Sequence, residues 1–260
     1  MRRLAPYVLL PALAASLRAE EALVHTELGE IPIVLTAPHG GKQHIPGVPD
    51  RESGVTTRDM ATYEIVIGIA EELEKRLGER PYLVAALFHR ASADANRGAN
   101  DAFEDEDAKP HYDAYHDAVA NVVADVQKRW PGRGLLLDIH GQAAFEGIHR
   151  GTKDGRTVRR LVKRIGEEAF VGPEGLLGRL AAKDYEVFPP VGKPLGSPEE
   201  DARFNGGYTV RTYGSDHEDG IDAIQLEFGP KLRTDEKRRE KLVRDLAEAI
   251  AGFYKDALAK

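Results

Sequence analysis

IPIVLTAPHGGKQHIPG, residues 31–47, joins an apolar run to a loop dense in histidine, glycine and proline. Ile31–Leu35 is short, almost wholly apolar and closed by turn residues, the pattern of a strand buried on both faces of a sheet. Tyr82–Phe88, Gly134–Ile139, Tyr208–Arg211 and Ile221–Phe228 read as further strands of the same kind. Between them lie helical periodicities. Tyr63, Val66, Ile67, Ala70, Leu73 and Leu77 fall on one face of Asp59–Leu77, and Tyr115, Val119, Val122 and Val126 repeat the spacing. A last helix carries Leu242, Leu246, Ile250 and Phe253, with Thr234-Asp235 placed to cap it. Strands alternating with helices predict an α/β fold of three αβα layers around a mostly parallel or mixed sheet.

The 260 residues are 42% hydrophobic and 30% charged, which suits one globular domain able to bury its own core. A net charge of -7 gives no electrostatic reason to expect nucleic acid. The basic clusters Arg159-Arg160 and Lys237-Arg238-Arg239 sit among acids in helical patterns and read as solvated faces. With no cysteine, disulfides, thiol catalysis and thiolate zinc sites are excluded, so a metal would need His, Asp, Glu or water as ligands.

Residues 1–19 have the form of an export signal: Met1-Arg2-Arg3, then LAPYVLLPALAASL, then small residues with Ala19 or Ala14 as the cleavage position. A core helix is the alternative, which Pro6 and Pro11 disfavour. This predicts a periplasmic or secreted protein with a catalytic domain over 20–260, a cytoplasmic one being the alternative. No later segment approaches the ~20 apolar residues of a membrane span, so an integral membrane protein is not expected.

In open α/β sheets ligands bind beyond the carboxyl ends of the strands. Four expected strand ends carry polar chemistry here: His39 after the first, Arg90, Asp94, Asn96 and Arg97 after the second, Asp138 and His140 in the third, and Glu227 in the last. Imidazole and carboxylate together suit zinc. Arginine beside asparagine suits a substrate carboxylate. Each has a plainer reading: a structural histidine, a turn at Gly40-Gly41, Arg90 and Arg97 paired with Asp94, Asp138 as a helix cap or in a buried ion pair. Asp138 lies two residues before His140, so both face one way and the carboxylate can orient the imidazole. Glu227 lies in an apolar strand, where an unpartnered carboxylate is costly. The long Pro/Gly-rich segment at 186–207 reads as a lid.

In order, APHGG, HRASADANR, DIHGQ, GTKDGRTVRRL, GGYTVRTYG and IQLEFGP resemble the N-formylglutamate amidohydrolase family, and more distantly the zinc carboxypeptidases and aspartoacylases. The resemblance spans roughly residues 36–230. It implies a phosphorylase/hydrolase-like, zinc carboxypeptidase-like fold and one Zn²⁺ ion. It also implies hydrolysis of an amide bond in an N-acyl amino acid or small acidic peptide. It would make His39 and His140 metal ligands and Glu227 the general acid/base, and would set Arg90, Asn96 and Arg97 on the substrate carboxylate. Zinc carboxypeptidases carry a glutamate three residues after the first histidine, where this chain has Lys42, so a third ligand must come from elsewhere. His44 is the expected one, with Asp59 or Asp50 in reserve. The rival functions are a cell-wall peptide carboxypeptidase or amidase, and a non-catalytic protein that binds an acidic ligand.

Overall fold

A computed structural model describes residues 22–259; the export signal expected over 1–19 lies outside the described residues. Seven strands form one sheet: β1 (Val24–Glu27), β2 (Ile33–Ala37), β3 (Tyr82–Ala86), β4 (Leu135–Gly141), β5 (Ile148–Gly151), β6 (Val187–Phe188) and β7 (Asp222–Phe228). Their order is β1-β3-β2-β4-β7-β5-β6. The centre, β3-β2-β4-β7, is parallel, while β1 joins β3 and β5 joins β7 antiparallel. The sheet is therefore mixed, and the predicted three-layer α/β fold is the observed one.

The period of two along each strand divides the core. Ile33 and Leu35 of β2 join Ile65, Ile69, Leu246 and Ile250 on one face. Val34, between them, joins Tyr115, Val119 and Val126 on the other. The helices Thr62–Leu77 and Glu236–Ala257 cover the first face, and Lys109–Arg129 covers the second. Helix ends follow local rules. Gly78 closes the first in the left-handed conformation at φ 78°, and the Asp235 carboxylate accepts the Arg238 N–H at the start of the last.

Residues 208–211 depart from the expected strand: Tyr208–Tyr213 is a short helix. Its opening N–H groups have side-chain acceptors, since Gly207 donates to Gln225 Oε1 at 2.6 Å and Thr209 donates to Asn96 Oδ1 at 2.8 Å. Tertiary capping decides the matter over the β-branched pair Thr209-Val210. The strands β1, β5 and β6 carry no continuous apolar run, and sequence patterning does not reveal them. Among the described residues, no helix is long and apolar enough to cross a membrane.

Candidate metal centre

His39 stands two residues beyond β2, and His140 is the penultimate residue of β4, the strand beside it. Both imidazoles are buried, with ring centroids 4.9 Å apart. Asp59 reaches them from the loop ahead of the helix Thr62–Leu77, anchored by its own N–H donating to the His39 carbonyl at 3.0 Å. One carboxylate oxygen, Asp59 Oδ2, lies 3.3 Å from His39 Nδ1 and 3.4 Å from His140 Nδ1. Ligand atoms of His39, Asp59 and His140 all lie within 4.8 Å of one another.

The far side of each ring fixes its tautomer. His39 Nε2 is 2.7 Å from Asp94 Oδ1, and His140 Nε2 is 2.7 Å from Asp138 Oδ2. With each Nε2 held by a buried carboxylate, both Nδ1 atoms face Asp59, where a bound cation would take their lone pairs, the arrangement that carboxylate–histidine–metal sites use. Asp138 is itself held, since Thr36 Oγ1 donates to its second oxygen at 2.6 Å. The expected orienting role of Asp138 thus has a geometric basis, and Asp94 does for His39 what Asp138 does for His140.

The electrostatics favour a cation here. Burial works against ionised Asp59, yet the facing His39 and His140 outweigh it and hold the carboxyl well below the usual range. Asp94 is likewise lowered, against burial, by His39 and Arg90. For His140, burial opposes the charged form, but Asp138, Asp59 and Glu227 raise it well above an ordinary histidine. A field that draws a proton to this imidazole draws a metal cation as well. Two imidazole nitrogens and one carboxylate oxygen converging on one point match the ligand types and number of a catalytic zinc site that keeps a position open.

The structure does not bring His44 into this group. Its half-exposed ring bonds Asp50 through Nδ1 at 2.8 Å and stacks on His89 at 4.5 Å. Asp50 is equally at the surface, so of the three candidates for the third position only Asp59 is in place. The turn at Ile45–Val48 carries His44 outward, whereas the chain returns with Asp59. The glycine pair also has a structural reason. A Cβ on Gly40 would lie 2.5 Å from the Tyr63 nitrogen, and one on Gly41 2.2 Å from the Phe88 carbonyl oxygen. Both glycines admit neighbouring backbone rather than a ligand.

Glu227 sits beside His140 in the β4–β7 register and is buried. Burial pushes its carboxyl up, Asp59 and Asp138 add to the rise, and the two histidines oppose it. Gln225, on the same face of β7, donates from Nε2 to Glu227 Oε1 at 2.9 Å while its own oxygen takes the Gly207 N–H. The spacing of two in IQLEF was the available sign of Gln225.

The expected carboxylate-binding residues divide. Arg90 gives its guanidinium to Asp94 at 2.9 Å and stands 3.4 Å from Asp59, so it braces the two acids. Asn96 caps the helix at Tyr208, with Nδ2 3.4 Å from His140 Nε2. Arg97 is half exposed, with Asp94 3.8 Å away. Arg233, overlooked in the sequence, donates to the carbonyls of Phe228, Met60 and Gln142, pinning the end of β7 and two loops around the site. All of these border one cleft of about 740 Å³ that also meets His39, Asp59, His140, Glu227, Arg203 and Phe204. That volume is typical of small-molecule sites. The 186–207 segment contributes Arg203 and Phe204 to the cleft and is fastened by the buried pair Arg150–Glu200 at 2.7 Å.

No protein-family model matches the sequence, and no curated protein matches it either. Solved structures do. An N-formylglutamate amidohydrolase from Ralstonia eutropha JMP134 is 17% identical, with a TM-score of 0.59 over 91% of this chain and 98% of that one. A gene product of Agrobacterium tumefaciens is 16% identical, with a TM-score of 0.60 over 90% of this chain and 95% of that one. A metallo-carboxypeptidase from Pseudomonas aeruginosa is 18% identical, with a TM-score of 0.41 over 87% of this chain and 57% of that one. The family resemblance carried by the motifs thus has a counterpart in three dimensions, and the chain shares its fold with an N-formylglutamate amidohydrolase.

Proposed function

We propose that this protein is a zinc-dependent amidohydrolase acting on an N-acyl amino acid or small acidic peptide that bears a carboxylate. The observation that carries the reading is the paired geometry at the cleft floor. Both histidines turn Nδ1 toward Asp59 and give Nε2 to a buried carboxylate, with Glu227 alongside. His39, Asp59 and His140 would hold the ion. When bound, Zn²⁺ supplies Lewis acidity, polarising a carbonyl and making water acidic near neutral pH.

The chain's own groups do the rest. Glu227 takes the proton of the attacking water as its oxygen bonds to the amide carbon. It returns that proton to the leaving nitrogen as the C–N bond breaks. A raised pKa suits a group that must both accept and release a proton. Arg97, with Asn96, holds the substrate carboxylate, and Arg90 keeps Asp94 and Asp59 in place. The likeness in fold to an N-formylglutamate amidohydrolase agrees with this chemistry. Action outside the cytoplasm is part of the proposal and rests on residues 1–19.

Elemental analysis of purified protein and a panel of N-acyl amino acids, read by amine release, test the reading. Glu227→Gln should abolish turnover while zinc stays bound. Wild-type rates in that variant would remove Glu227 from the mechanism.

A further inference from the structure

We propose that the cleft has an apolar subsite at its β5–β6 end. It takes the acyl side of the substrate, and the acyl group it fits is bulky and apolar, the size of an aromatic ring rather than a single carbon. This rests on the amidohydrolase reading above.

The order of strands sets a direction across the site. Arg90, Asn96 and Arg97 follow β3, the histidines follow β2 and end β4, and Glu227 ends β7. His149 lies on β5 directly opposite Glu227, and Phe188 lies on β6 beyond it. A substrate whose carboxylate lies at Arg97 and whose amide lies between the histidines and Glu227 therefore directs its acyl group toward β5 and β6.

That end is aromatic. Phe204 lines the cleft, with its ring centroid 4.8 Å from that of His149. His149 stacks on Phe188 at 4.6 Å and meets Phe145 at 5.3 Å. The buried His149 Nε2 finds no hydrogen-bond partner among the described residues, and burial lowers its pKa and so favours the neutral ring, which packs by its faces within the aromatic group. The Arg203 guanidinium lies over Phe145 and Phe204, 5.1 Å and 5.3 Å from their centroids, with its charge answered by Asp201. Phe145 is 40% exposed, one of only four large hydrophobic side chains so open among the described residues. An open aromatic beside a binding cleft marks a place where a ligand takes apolar surface out of water. Of these four rings Phe204 borders the cleft of about 740 Å³ directly, with His149 packed against it.

The test is calorimetric binding to the zinc-loaded Glu227→Gln protein, using N-formylglutamate, N-benzoylglutamate and the dipeptide phenylalanylglutamate. N-benzoylglutamate should bind about tenfold more tightly than the formyl compound, the effect of removing about 60 Å² of apolar surface from water. Adding Phe145→Ala should collapse that ratio to below threefold. Phe145→Leu should keep most of it, which separates lost apolar surface from misfolding. If the dipeptide matches the benzoyl compound, the natural acyl group is a peptide residue; if only the benzoyl compound gains, it is an acyl cap. Equal binding of formyl and benzoyl compounds, or a preference that survives Phe145→Ala, overturns the subsite. Hydrolysis by the wild-type protein is scored separately. A benzoyl preference without turnover keeps the subsite and removes the hydrolase reading, and equal binding with turnover does the reverse.

Discussion

Asp138→Asn isolates the contribution of a buried charge to metal affinity. The side chain is fully buried, accepts from His140 Nε2 at 2.7 Å and from Thr36 Oγ1 at 2.6 Å. Asparagine fills the same volume. Its carbonyl oxygen can still accept from His140, and its amide can donate to Thr36, whose hydroxyl rotates to receive it. The hydrogen-bond count survives, and the charge behind the imidazole is lost. A charge-assisted bond is roughly twice as strong as a neutral one. Loss of such outer partners typically costs about 10–100-fold in metal affinity, or about 1.4–2.8 kcal/mol. Zinc affinity should weaken by that factor in competition with a chromophoric chelator. Thermal unfolding of the metal-stripped variant supplies the control for folding. Asp50→Asn, which removes the acid beside surface His44, should leave zinc affinity within twofold of wild type. Wild-type affinity in Asp138→Asn would refute the assignment of His140 Nδ1 as a ligand oriented through Nε2.

His44→Ala should retain zinc within twofold, while Asp59→Asn should lose affinity by more than about 100-fold, since it alters a proposed ligand rather than its support; the same chelator assay decides. Gly40→Ala forces a Cβ to within 2.5 Å of the Tyr63 nitrogen, pushing on the helix that follows Asp59, so both Tm and zinc affinity should fall, whereas Gly47→Ala, with open space around it but a φ of 77°, should lower Tm alone and leave zinc affinity unchanged. Glu227 gives a pH test of stability. Its folded pKa is raised, by burial first, so the stability it contributes is fully present below the unfolded value of ~4.3 and is lost as pH rises through the folded value. Above that window Glu227→Gln should raise the Tm of metal-stripped protein relative to wild type, and the difference should vanish at acid pH. A Tm difference independent of pH would contradict the buried charge.

The parallel centre of the sheet was legible because its strands are buried on both faces and so are rich in apolar residues, continuously so in Tyr82–Ala86. The edges were not. β1 is VHTE and β5 is IHRG, and their polar residues are accommodated by contacts that a single sequence does not display, such as Arg150 with Glu200. The helix at Tyr208 shows the same limit from the other side. Its two strand-forming residues, Thr209 and Val210, are overruled by acceptors contributed from Asn96 and Gln225. Local propensity cannot register a cap that arrives from more than a hundred residues away.

The site was legible in proportion to how far the sheet itself places each residue. His39, His140 and Glu227 sit at or just past adjacent parallel strands, so the rule about carboxyl ends finds all three. The third ligand candidate does not belong to the sheet. His44 looked the better choice because it is near His39 in sequence and imidazole is a good zinc ligand, but loop chemistry is governed by where the chain turns back. Between His39 and Asp59 the chain makes that excursion around Arg51, whose guanidinium holds the carbonyls of Ser53, Val55 and Arg90. Asp59 then returns to donate its N–H to the His39 carbonyl. Proximity in sequence predicts the ligand only when a helix or strand fixes the geometry between the two residues. Where a loop intervenes, the informative signal is the closure that brings its far end back, and here that closure runs through the main chain of His39 itself.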